Sequence, residues 1–159
     1  MKPMIEDQTP QDVAEALEQN VDAVYLDVRT VEEFERGHVP GALNIPVAEP
    51  SPATGMMAPN PEFVRVATSS IAPDATIYCG CATGPRSRHA VSLLQQAGYA
   101  KAFNVAPGFN GVTDPLGRVI EAGWQALGLP VETGTGGALG YEELAASAAS
   151  SEAAPDVEA

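Results

Sequence analysis

Short apolar runs that are typical of buried β-strands alternate along this chain with segments in which apolar residues recur at helical spacing. Three of these runs cover residues 23–28, 75–79 and 102–105, and the first shows no alternation with polar residues before Asp27. A run of this kind is typical of a strand that is buried on both faces, as in a parallel sheet. The alternation therefore predicts an α/β domain with a mainly parallel sheet, whose sites lie at the carboxyl ends of its strands.

Capping residues locate several of the predicted helices. Thr9 followed by Pro10 is typical of a helix start, and Thr30 and Glu33 have the spacing of a capping box. Residues 39–46 are expected to form a turn and a short strand, and residues 47–61 a surface connection without regular structure. The predicted helices cover residues 10–20, 31–36, 62–70, 87–97 and 119–127.

The charge balance excludes several classes of function. The 159 residues carry a net charge of −13, with a pI near 4.3. Nucleic acids and anionic membrane surfaces require clustered Lys and Arg, so neither is an expected partner. Acidic residues begin at Glu6 and Asp7, before any apolar run long enough for a secretory signal. No apolar run in the sequence approaches the length of a membrane span. We therefore expect no secretory signal, no membrane insertion and a cytoplasmic location.

The composition changes after Val131. Residues 1–131 have the length and apolar content of one domain. Residues 132–159 are rich in Ala, Ser and Gly, contain no Lys or Arg, and carry six of the acidic side chains. Such a segment is expected to be a flexible, solvated tail, because it has little apolar surface to bury. The alternative is that residues 141–149 form a helix that docks on this chain or another one.

The stretch from residue 76 to residue 90 predicts a reactive site. A short apolar strand leads to Cys81, and Arg86 follows five positions later, near the start of a helix. Gly84 allows the backbone between them to curl, so that several N–H groups can converge on the sulfur. A helix N-terminus adds unpaired N–H groups and a partial positive charge, which favour a thiolate. Cys81 is therefore the candidate nucleophile, whereas Cys79 lies inside the apolar run and is expected to be a buried strand residue.

The remaining chemistry-bearing residues do not suggest a metal or a cofactor. Cys79 and Cys81 are separated by one residue, and His38 and His89 are the only histidines. This spacing does not match a zinc site, and two cysteines so close together are poor partners for a disulfide in a reducing compartment. We expect no cofactor.

Several motifs together resemble the single-domain rhodanese family of sulfurtransferases. The resemblance covers residues 9–131 and implies a five-stranded, mainly parallel sheet with helices on both faces. It also implies that Cys81 takes a sulfane sulfur from a donor such as thiosulfate and passes it from a persulfide to a thiol, to cyanide or to a protein acceptor. The motifs are Leu26-Asp27-Val28-Arg29, Glu33-Phe34, Gly37-His38-Val39-Pro40-Gly41-Ala42, Asn44-Ile45-Pro46, Cys81-Ala82-Thr83-Gly84-Pro85-Arg86-Ser87 and Gly128-Leu129-Pro130-Val131.

The resemblance also assigns the residues around the sulfur. Arg86 is expected to close the loop and to pair with Asp27 or Glu33. Pro85 has no N–H to offer an anion, and Ala82 and Thr83 bring no charge to it. The predicted substrate-binding residues of the loop are Ala82, Thr83, Gly84, Pro85, Arg86 and Ser87.

The chain departs from the family between Phe109 and Trp124, where residues 111–121 form an insert. We expect this insert to lie at the rim of the site, with Arg118 attracting an anionic donor. The alternative is a solvated loop in which Arg118 pairs with a surface carboxylate. Four further residues are expected to serve structure more than chemistry: Asp27 and Arg29 at the strand end, His38 at a turn, and Trp124 as a core or rim anchor. His89 is expected at the surface.

Two other classes of protein share parts of this pattern. Cysteine phosphatases and arsenate reductases also place a cysteine, a loop and an arginine before a helix, but their loop has one residue more than the loop from Cys81 to Arg86. A sulfur-carrier or redox-sensing module would use Cys79 and Cys81 as a pair that forms a disulfide or resolves a sulfenic acid. Sulfur transfer through Cys81 is the preferred interpretation, and the carrier or sensor is the alternative.

Overall fold

The computed structural model describes residues 5–82 and 85–153, and a five-stranded parallel sheet forms its centre. The sheet strands are β1 (Asp7–Gln8), β2 (Val24–Asp27), β3 (Leu43–Asn44), β6 (Ile77–Gly80) and β7 (Ala102–Val105). Their order in the sheet is β1-β7-β6-β2-β3. The helices are α1 (Pro10–Gln19), α2 (Val31–Arg36), α3 (Phe63–Ser70), α4 (Pro85–Gln96) and α5 (Tyr141–Ala153). The predicted α/β class and parallel sheet are confirmed.

Helices cover both faces of the sheet, as predicted. Successive residues of a strand point to opposite faces. Leu26 of β2 therefore belongs to the apolar cluster beneath α3, α4 and α5. Its neighbour Tyr25 belongs to the cluster beneath α1 and α2, which also holds Trp124. The strands contribute to both clusters, which explains why they read as continuous apolar runs in the sequence.

The capping signals located two helices correctly. Thr9 Oγ1 accepts a hydrogen bond from the Asp12 N–H at the start of α1. At the start of α2, Thr30 Oγ1 accepts from the Glu33 N–H, and the Glu33 carboxylate accepts from the Thr30 N–H. Capping is a local interaction between residues three apart, so the sequence contains all that is needed to predict it.

The register of the central strands determines what meets at their carboxyl ends. Strands β2 and β6 are neighbours, and Asp27 at the end of β2 lies opposite Gly80 at the end of β6. The next residue after Gly80 is Cys81. A side chain at Gly80 would collide with the Tyr25 hydroxyl, because a Cβ there would overlap the hydroxyl oxygen. Glycine is therefore needed at the position that leads into the cysteine.

Two segments differ from their predicted structure. Residues 47–61 contain a hairpin of β4 (Ala48–Pro50) and β5 (Met57–Pro59) rather than an irregular connection. The helix predicted at residues 119–127 was wrong, because residues Val119–Ala122 form strand β9, which pairs antiparallel with β8 (Gly111–Thr113). In both cases two short strands of a hairpin stabilise each other by pairing, which the residue pattern of a single short segment does not reveal.

The acidic segment is ordered as far as α5. Ala148 is fully buried, and Tyr141, Leu144 and Ala145 pack against the cluster that contains α3. Residues 141–149 therefore form a docked helix, the alternative to a solvated tail, and they dock on their own chain. Residues 154–159 lie outside the described residues, and the domain boundary at residue 131 stays a prediction. No helix among residues 5–82 and 85–153 combines the length and the apolar character needed to cross a membrane.

Candidate active site

Cys81 directly follows β6, at the carboxyl end of the central sheet strand. Its side chain is 1% exposed. Helix α4 begins at Pro85, two residues earlier than predicted, with proline at the first helical position, where its missing N–H costs nothing. Cys81, Pro85, Arg86 and Ser87 therefore lie together at the junction of strand and helix. Thr83 and Gly84 lie outside the described residues, so their contribution to substrate binding stays a prediction.

A buried polar chain holds the cysteine from one side. The Cys81 thiol lies 3.4 Å from Ser87 Oγ and donates to it. The Ser87 hydroxyl donates to Asn104 Oδ1, and Asn104 Nδ2 donates to Asp7 Oδ1 at 2.9 Å. Ser87 is fully buried and Asn104 is 1% exposed. Asn104 was missed in the sequence, although a polar residue inside the apolar run of residues 102–105 was a usable signal.

Arg86 is held by a carboxylate from another helix. Its guanidinium donates to both oxygens of Glu33, at 2.7 and 3.0 Å. Glu33 is fixed in turn by the Thr30 capping box. Of the two partners that were predicted for Arg86, Glu33 is the one found. This bidentate pair ties the first turn of α4 to the first turn of α2 and closes the loop that begins at Cys81.

The ion pair has a measurable pH dependence. Burial raises the pKa of Glu33, but the hydrogen bonds from Arg86 and Thr30 outweigh it and lower the pKa from 4.5 to about 2. A carboxyl whose pKa is lower in the folded than in the unfolded chain stabilises the fold above its unfolded pKa. This stabilisation is complete above about pH 5 and is lost as the pH falls from 4.5 towards 2.

We expect Glu33→Gln to reduce the free energy of unfolding by roughly 2 kcal/mol at pH 7 and by much less at pH 2.5. Glutamine keeps a capping oxygen but removes the charge. Urea unfolding of both proteins at several pH values measures the difference. A difference that is the same at pH 7 and pH 2.5 would show that the Glu33 charge does not act through Arg86. Glu32→Gln, on the same helix turn, is a control because Glu32 is 86% exposed.

Asp27 and Arg29 form a second, fully buried ion pair at the end of β2. Arg29 Nη2 lies 2.6 Å from Asp27 Oδ2 and also donates to the Gly37 carbonyl at 2.7 Å. The Arg29 guanidinium carbon lies 4.4 Å from the centre of the Phe109 ring. The predicted structural role of Asp27 and Arg29 is confirmed, because their hydrogen bonds fix the turn that follows β2.

The chain after β7 supports the cysteine loop from the other side. The N–H groups of Phe109 and Asn110 donate to the carbonyls of Cys81 and Ala82, at 2.7 and 2.8 Å. Gly108 allows this approach, because a Cβ there would lie 2.6 Å from the Cys81 oxygen. In a trans peptide the carbonyl and the following N–H point in opposite directions, so the Ala82 N–H points away from Phe109. These contacts were not predicted, because they join residues distant in sequence.

The insert between Phe109 and Trp124 is a hairpin whose two ends meet. The Trp124 N–H donates to the Gly108 carbonyl at 3.0 Å, and the Gln125 N–H to the Phe109 carbonyl at 3.2 Å. Arg118 lies at the turn, where its Nε is 2.7 Å from Asp114 Oδ2, and its side chain is 75% exposed. The pairing with a surface carboxylate is therefore the one found, and a part for Arg118 in attracting a donor stays a proposal.

A polar cleft of about 230 Å³ opens beside the cysteine loop. It lies between α2 and the segment after β7. These two elements hold the cysteine loop, and they also form the walls of the cleft. Two arginines and one glutamate line it, and of these Arg36 is 75% exposed. Its lining residues are Arg29, Glu33, Arg36, Gly37, Phe109, Asn110 and Gln125.

The remaining residues singled out from the sequence have structural positions. Cys79 is fully buried, and burial, followed by the nearby Cys81, raises its pKa far above the ordinary value, which makes it a poor thiolate. His38 stacks on the Phe34 ring at 3.6 Å, and its Nδ1 donates to the Phe34 carbonyl. Trp124 is 2% exposed, and its Nε1–H donates to the Pro130 carbonyl at 2.7 Å. His89 is exposed, as predicted.

The arrangement suits nucleophilic exchange at a sulfur atom. Cys81 lies between the end of β6 and the start of α4, and its thiol contacts a hydroxyl. A helix N-terminus and a hydroxyl group both favour negative charge on the sulfur or on an atom attached to it. Within the described residues, no group of three His, Cys, Asp or Glu side chains is placed to hold a metal ion.

Comparison with known proteins gives one family. The sequence profile of the rhodanese-like domain matches residues 9–114. Thiosulfate sulfurtransferase 16 (chloroplastic) of Arabidopsis thaliana is 38% identical over 108 residues, which are 68% of this chain and 78% of that protein. A Bacillus subtilis protein named as a sulfur carrier is 33% identical over 103 residues, and the match spans about half (48%) of its length.

Solved structures agree with the sequence match. The crystal structure of Rv0390 from M. tuberculosis superimposes with a TM-score of 0.70 at 29% identity, covering 83% of this chain and all of that one. The Alr3790 protein from Anabaena superimposes with a TM-score of 0.61 at 23% identity, covering 80% of each chain. The second likeness concerns the fold alone.

Proposed function

Because the chain belongs to the rhodanese-like domain family, we propose that it is a sulfurtransferase in which Cys81 carries the transferred sulfur as a persulfide. The observation that carries this proposal is the position of Cys81, at the carboxyl end of β6 and at the start of a loop that the Arg86–Glu33 pair closes. Relatives named as sulfurtransferases and as a sulfur carrier support the same chemistry.

The reaction divides into two exchanges at sulfur. In the first, the Cys81 thiolate attacks the outer sulfur of thiosulfate, the new S–S bond forms as the old one breaks, and sulfite leaves with the electron pair. In the second, a thiolate or cyanide attacks the outer sulfur of the Cys81 persulfide and the Cys81 thiolate leaves. The first exchange adds a sulfane sulfur to Cys81 and the second removes it, so the complete cycle returns the thiolate without an external oxidant or reductant. Neither exchange needs a general base once Cys81 is ionised.

The surrounding residues would stabilise the negative charge at each stage. The Ser87 hydroxyl donates to Asn104 while Cys81 is a thiol, and it can turn to donate to the sulfur once Cys81 is a thiolate. The N-terminus of α4 and the N–H groups of the loop would stabilise the negative charge on the outer sulfur and on the leaving sulfite. Thr83 and Gly84 are among the proposed contributors. Arg86 acts by holding the loop through Glu33, since both of its bonds to Glu33 are already made.

Mass spectrometry tests the proposal most directly. After treatment with thiosulfate, the peptide that contains Cys81 is expected to gain one sulfur atom. Cyanide should then remove it. A gain on Cys79 alone, or a loss of two hydrogens across Cys79 and Cys81 without any gain of sulfur, would contradict the assignment.

A sulfur-carrier function is the second candidate, and the Bacillus subtilis relative favours it. A carrier would form the same persulfide but would deliver sulfur only to a specific protein. Steady-state turnover with free cyanide or a small thiol distinguishes the two functions, because a carrier would form the persulfide and then turn over slowly. Both functions need Cys81 as a free thiol, so a reducing compartment such as the cytoplasm is part of the proposal.

The proposal also gives Arg118 a part in attracting an anionic donor to the rim. We expect Arg118→Ala to raise KM for thiosulfate about twofold at low ionic strength and to have no effect at high salt, because exposed charges are screened. The effect is small because Asp114 already pairs with Arg118. An unchanged KM at low salt would remove Arg118 from the site. Lys101→Ala, another exposed cation, serves as the matched control.

A further inference from the structure

The hydrogen-bonded chain that begins at the Cys81 thiol runs on to the protein surface. Asn104 is buried in β7, and Asp7 of the neighbouring β1 lies opposite it. Asn104 Nδ2 donates to Asp7 Oδ1 at 2.9 Å, and Arg88 Nη1 lies 2.7 Å from the same oxygen. Asp7 is 50% exposed and Arg88 47%. Two buried side chains, Ser87 and Asn104, therefore connect the cysteine to a surface ion pair.

The surface end of this chain fixes the orientation of the Asn104 amide. A carboxylate only accepts hydrogen bonds, so the atom of Asn104 that faces Asp7 must be the Nδ2 amino group. The amide oxygen then faces Ser87. An amide oxygen also only accepts, so the single hydroxyl hydrogen of Ser87 is directed at Asn104. The direction of this hydroxyl is thus decided outside the cysteine loop.

This direction of the hydroxyl favours one protonation state of Cys81. Because Ser87 Oγ gives its hydrogen to Asn104, the Cys81 S–H is the group that donates across the 3.4 Å between sulfur and oxygen. A thiolate in the same place would face a lone pair of the hydroxyl oxygen. For Ser87 to donate to the sulfur instead, it must turn away from Asn104 Oδ1, and a buried acceptor that loses its donor is unfavourable.

We propose that Asn104 is a positioning residue that holds the Ser87 hydroxyl away from the sulfur, so that Cys81 stays a thiol to a higher pH than it would without this amide. Asp7 acts one step further out, by orienting Asn104. When Cys81 ionises, its proton passes to the solvent and the Ser87 hydroxyl turns to the sulfur. The consequence for sulfur transfer rests on the proposed function: less thiolate is present for the first exchange.

Ionisable side chains from four other positions surround the cysteine loop. They are Tyr25, Asp27 and Arg29 of β2 and the turn after it, Glu33 of α2, Cys79 of β6 and Arg86 of α4. Burial raises the pKa of Tyr25 and of Cys79 far above the ordinary values, so both stay neutral as the pH is raised from neutral. The other four form the two ion pairs Asp27–Arg29 and Glu33–Arg86.

The NMR signal of the Cys81 Cβ, followed against pH in the full chain with labelled cysteine, measures this ionisation without a sulfur donor. Cys81→Ser assigns the two cysteine signals. We expect Asn104→Val to lower the midpoint of the titration by about one pH unit, because the turn of Ser87 then leaves no acceptor behind. Valine suits a strand and offers no acceptor. Asn60→Val removes another buried asparagine, whose hydrogen bonds lie elsewhere, and should not move the midpoint.

The dependence on Ser87 distinguishes positioning from a general structural effect. In Ser87→Ala the hydroxyl is absent and Asn104 has nothing to act through, so adding Asn104→Val should leave the midpoint where it is. An equal shift in both backgrounds would overturn the proposal. So would an unchanged or raised midpoint in Asn104→Val alone, or an equal shift in Asn60→Val.

Asp7→Asn tests the orientation of the amide from the surface, where a change is tolerated more easily. It places a donor beside Asn104, whose amide can then turn and offer Nδ2 to Ser87, so the midpoint should fall. Asp12→Asn removes the same charge from an exposed position of α1. If the two variants shift the midpoint equally, Asp7 does not orient Asn104 and the proposal is wrong. Persulfide formation is measured separately, so failure of the proposed function would be seen independently of this titration.

Discussion

Replacing Cys81 by serine is expected to lower the turnover number for sulfur transfer from thiosulfate to cyanide by more than about 10³-fold. A serine hydroxyl is not ionised near neutral pH and cannot form a persulfide, so the first exchange has no nucleophile. The side chain is nearly the same size, and the contact with Ser87 Oγ can be kept, so the fold should be unaffected. Steady-state kinetics, with circular dichroism to confirm folding, measure the effect.

Cys79→Ala is the matched control for this experiment. Cys79 is two residues away, points to the same face of the sheet and packs within the same apolar cluster, but it belongs to the core. Its replacement should lower stability by about 1–2 kcal/mol through a small cavity and leave turnover within a factor of a few. Sulfur transfer is assigned to the wrong cysteine if the Cys79 variant is inactive while Cys81→Ser keeps its activity.

Arg29→Met is expected to reduce the free energy of unfolding by about 3–5 kcal/mol, the largest effect on stability that we predict. Methionine fills much of the space above the Phe109 ring, but it leaves the Asp27 carboxylate 2% exposed and without its cation. For a chain of this length the melting temperature should fall by roughly 10 °C. Chemical denaturation and a thermal scan both measure the effect.

Two further variants show whether the loss comes from the buried charge. Arg36→Met removes an exposed arginine, whose nearest carboxylate lies 4.0 Å away, and should cost less than about 0.5 kcal/mol. Adding Asp27→Leu to Arg29→Met removes the unpaired charge and should restore part of the stability. If the double variant instead has a lower free energy of unfolding than Arg29→Met, the unpaired Asp27 carboxylate is not the cause of the lost stability.

The sequence predicted the parts of the site that depend on local order in the chain. Cys81 after a strand, Arg86 near a helix start and the Thr30–Glu33 capping box each follow from residues a few positions apart. The partner of Arg86 was predicted as one of two carboxylates. Glu33 is the one found, because the capping box already aims it towards the loop.

The contacts that were missed all join distant segments. The N–H groups of Phe109 and Asn110 reach the Cys81 loop only because β7 lies next to β6. Asn104 reaches Asp7 only because β7 also lies next to β1. A residue type limits which hydrogen bonds it can make, but the tertiary fold decides which of them form.

The structures of β9 and α5 differ from the preferred predictions for a common physical reason, since packing against another element decides each of them. Val119 and Ile120 can occur in a helix, but they are β-branched, and antiparallel pairing of β9 with β8 decides their structure. In α5 the apolar content is low, so the segment looked too polar to order itself. Small side chains such as Ala148 nevertheless let the helix lie close against α3, and this packing stabilises it.

The closed ends of the β8–β9 hairpin make it a modular element of the surface. Because Gly108 and Trp124 are hydrogen-bonded across its base, the residues between Asn110 and Gly123 can change in number without moving the strand before them or the tryptophan after them. Loop-closure entropy changes only slowly with length, by about 0.6 kcal/mol for each doubling. The hairpin could therefore diversify in evolution, or be redesigned in length, while the cysteine loop and its supports stay the same.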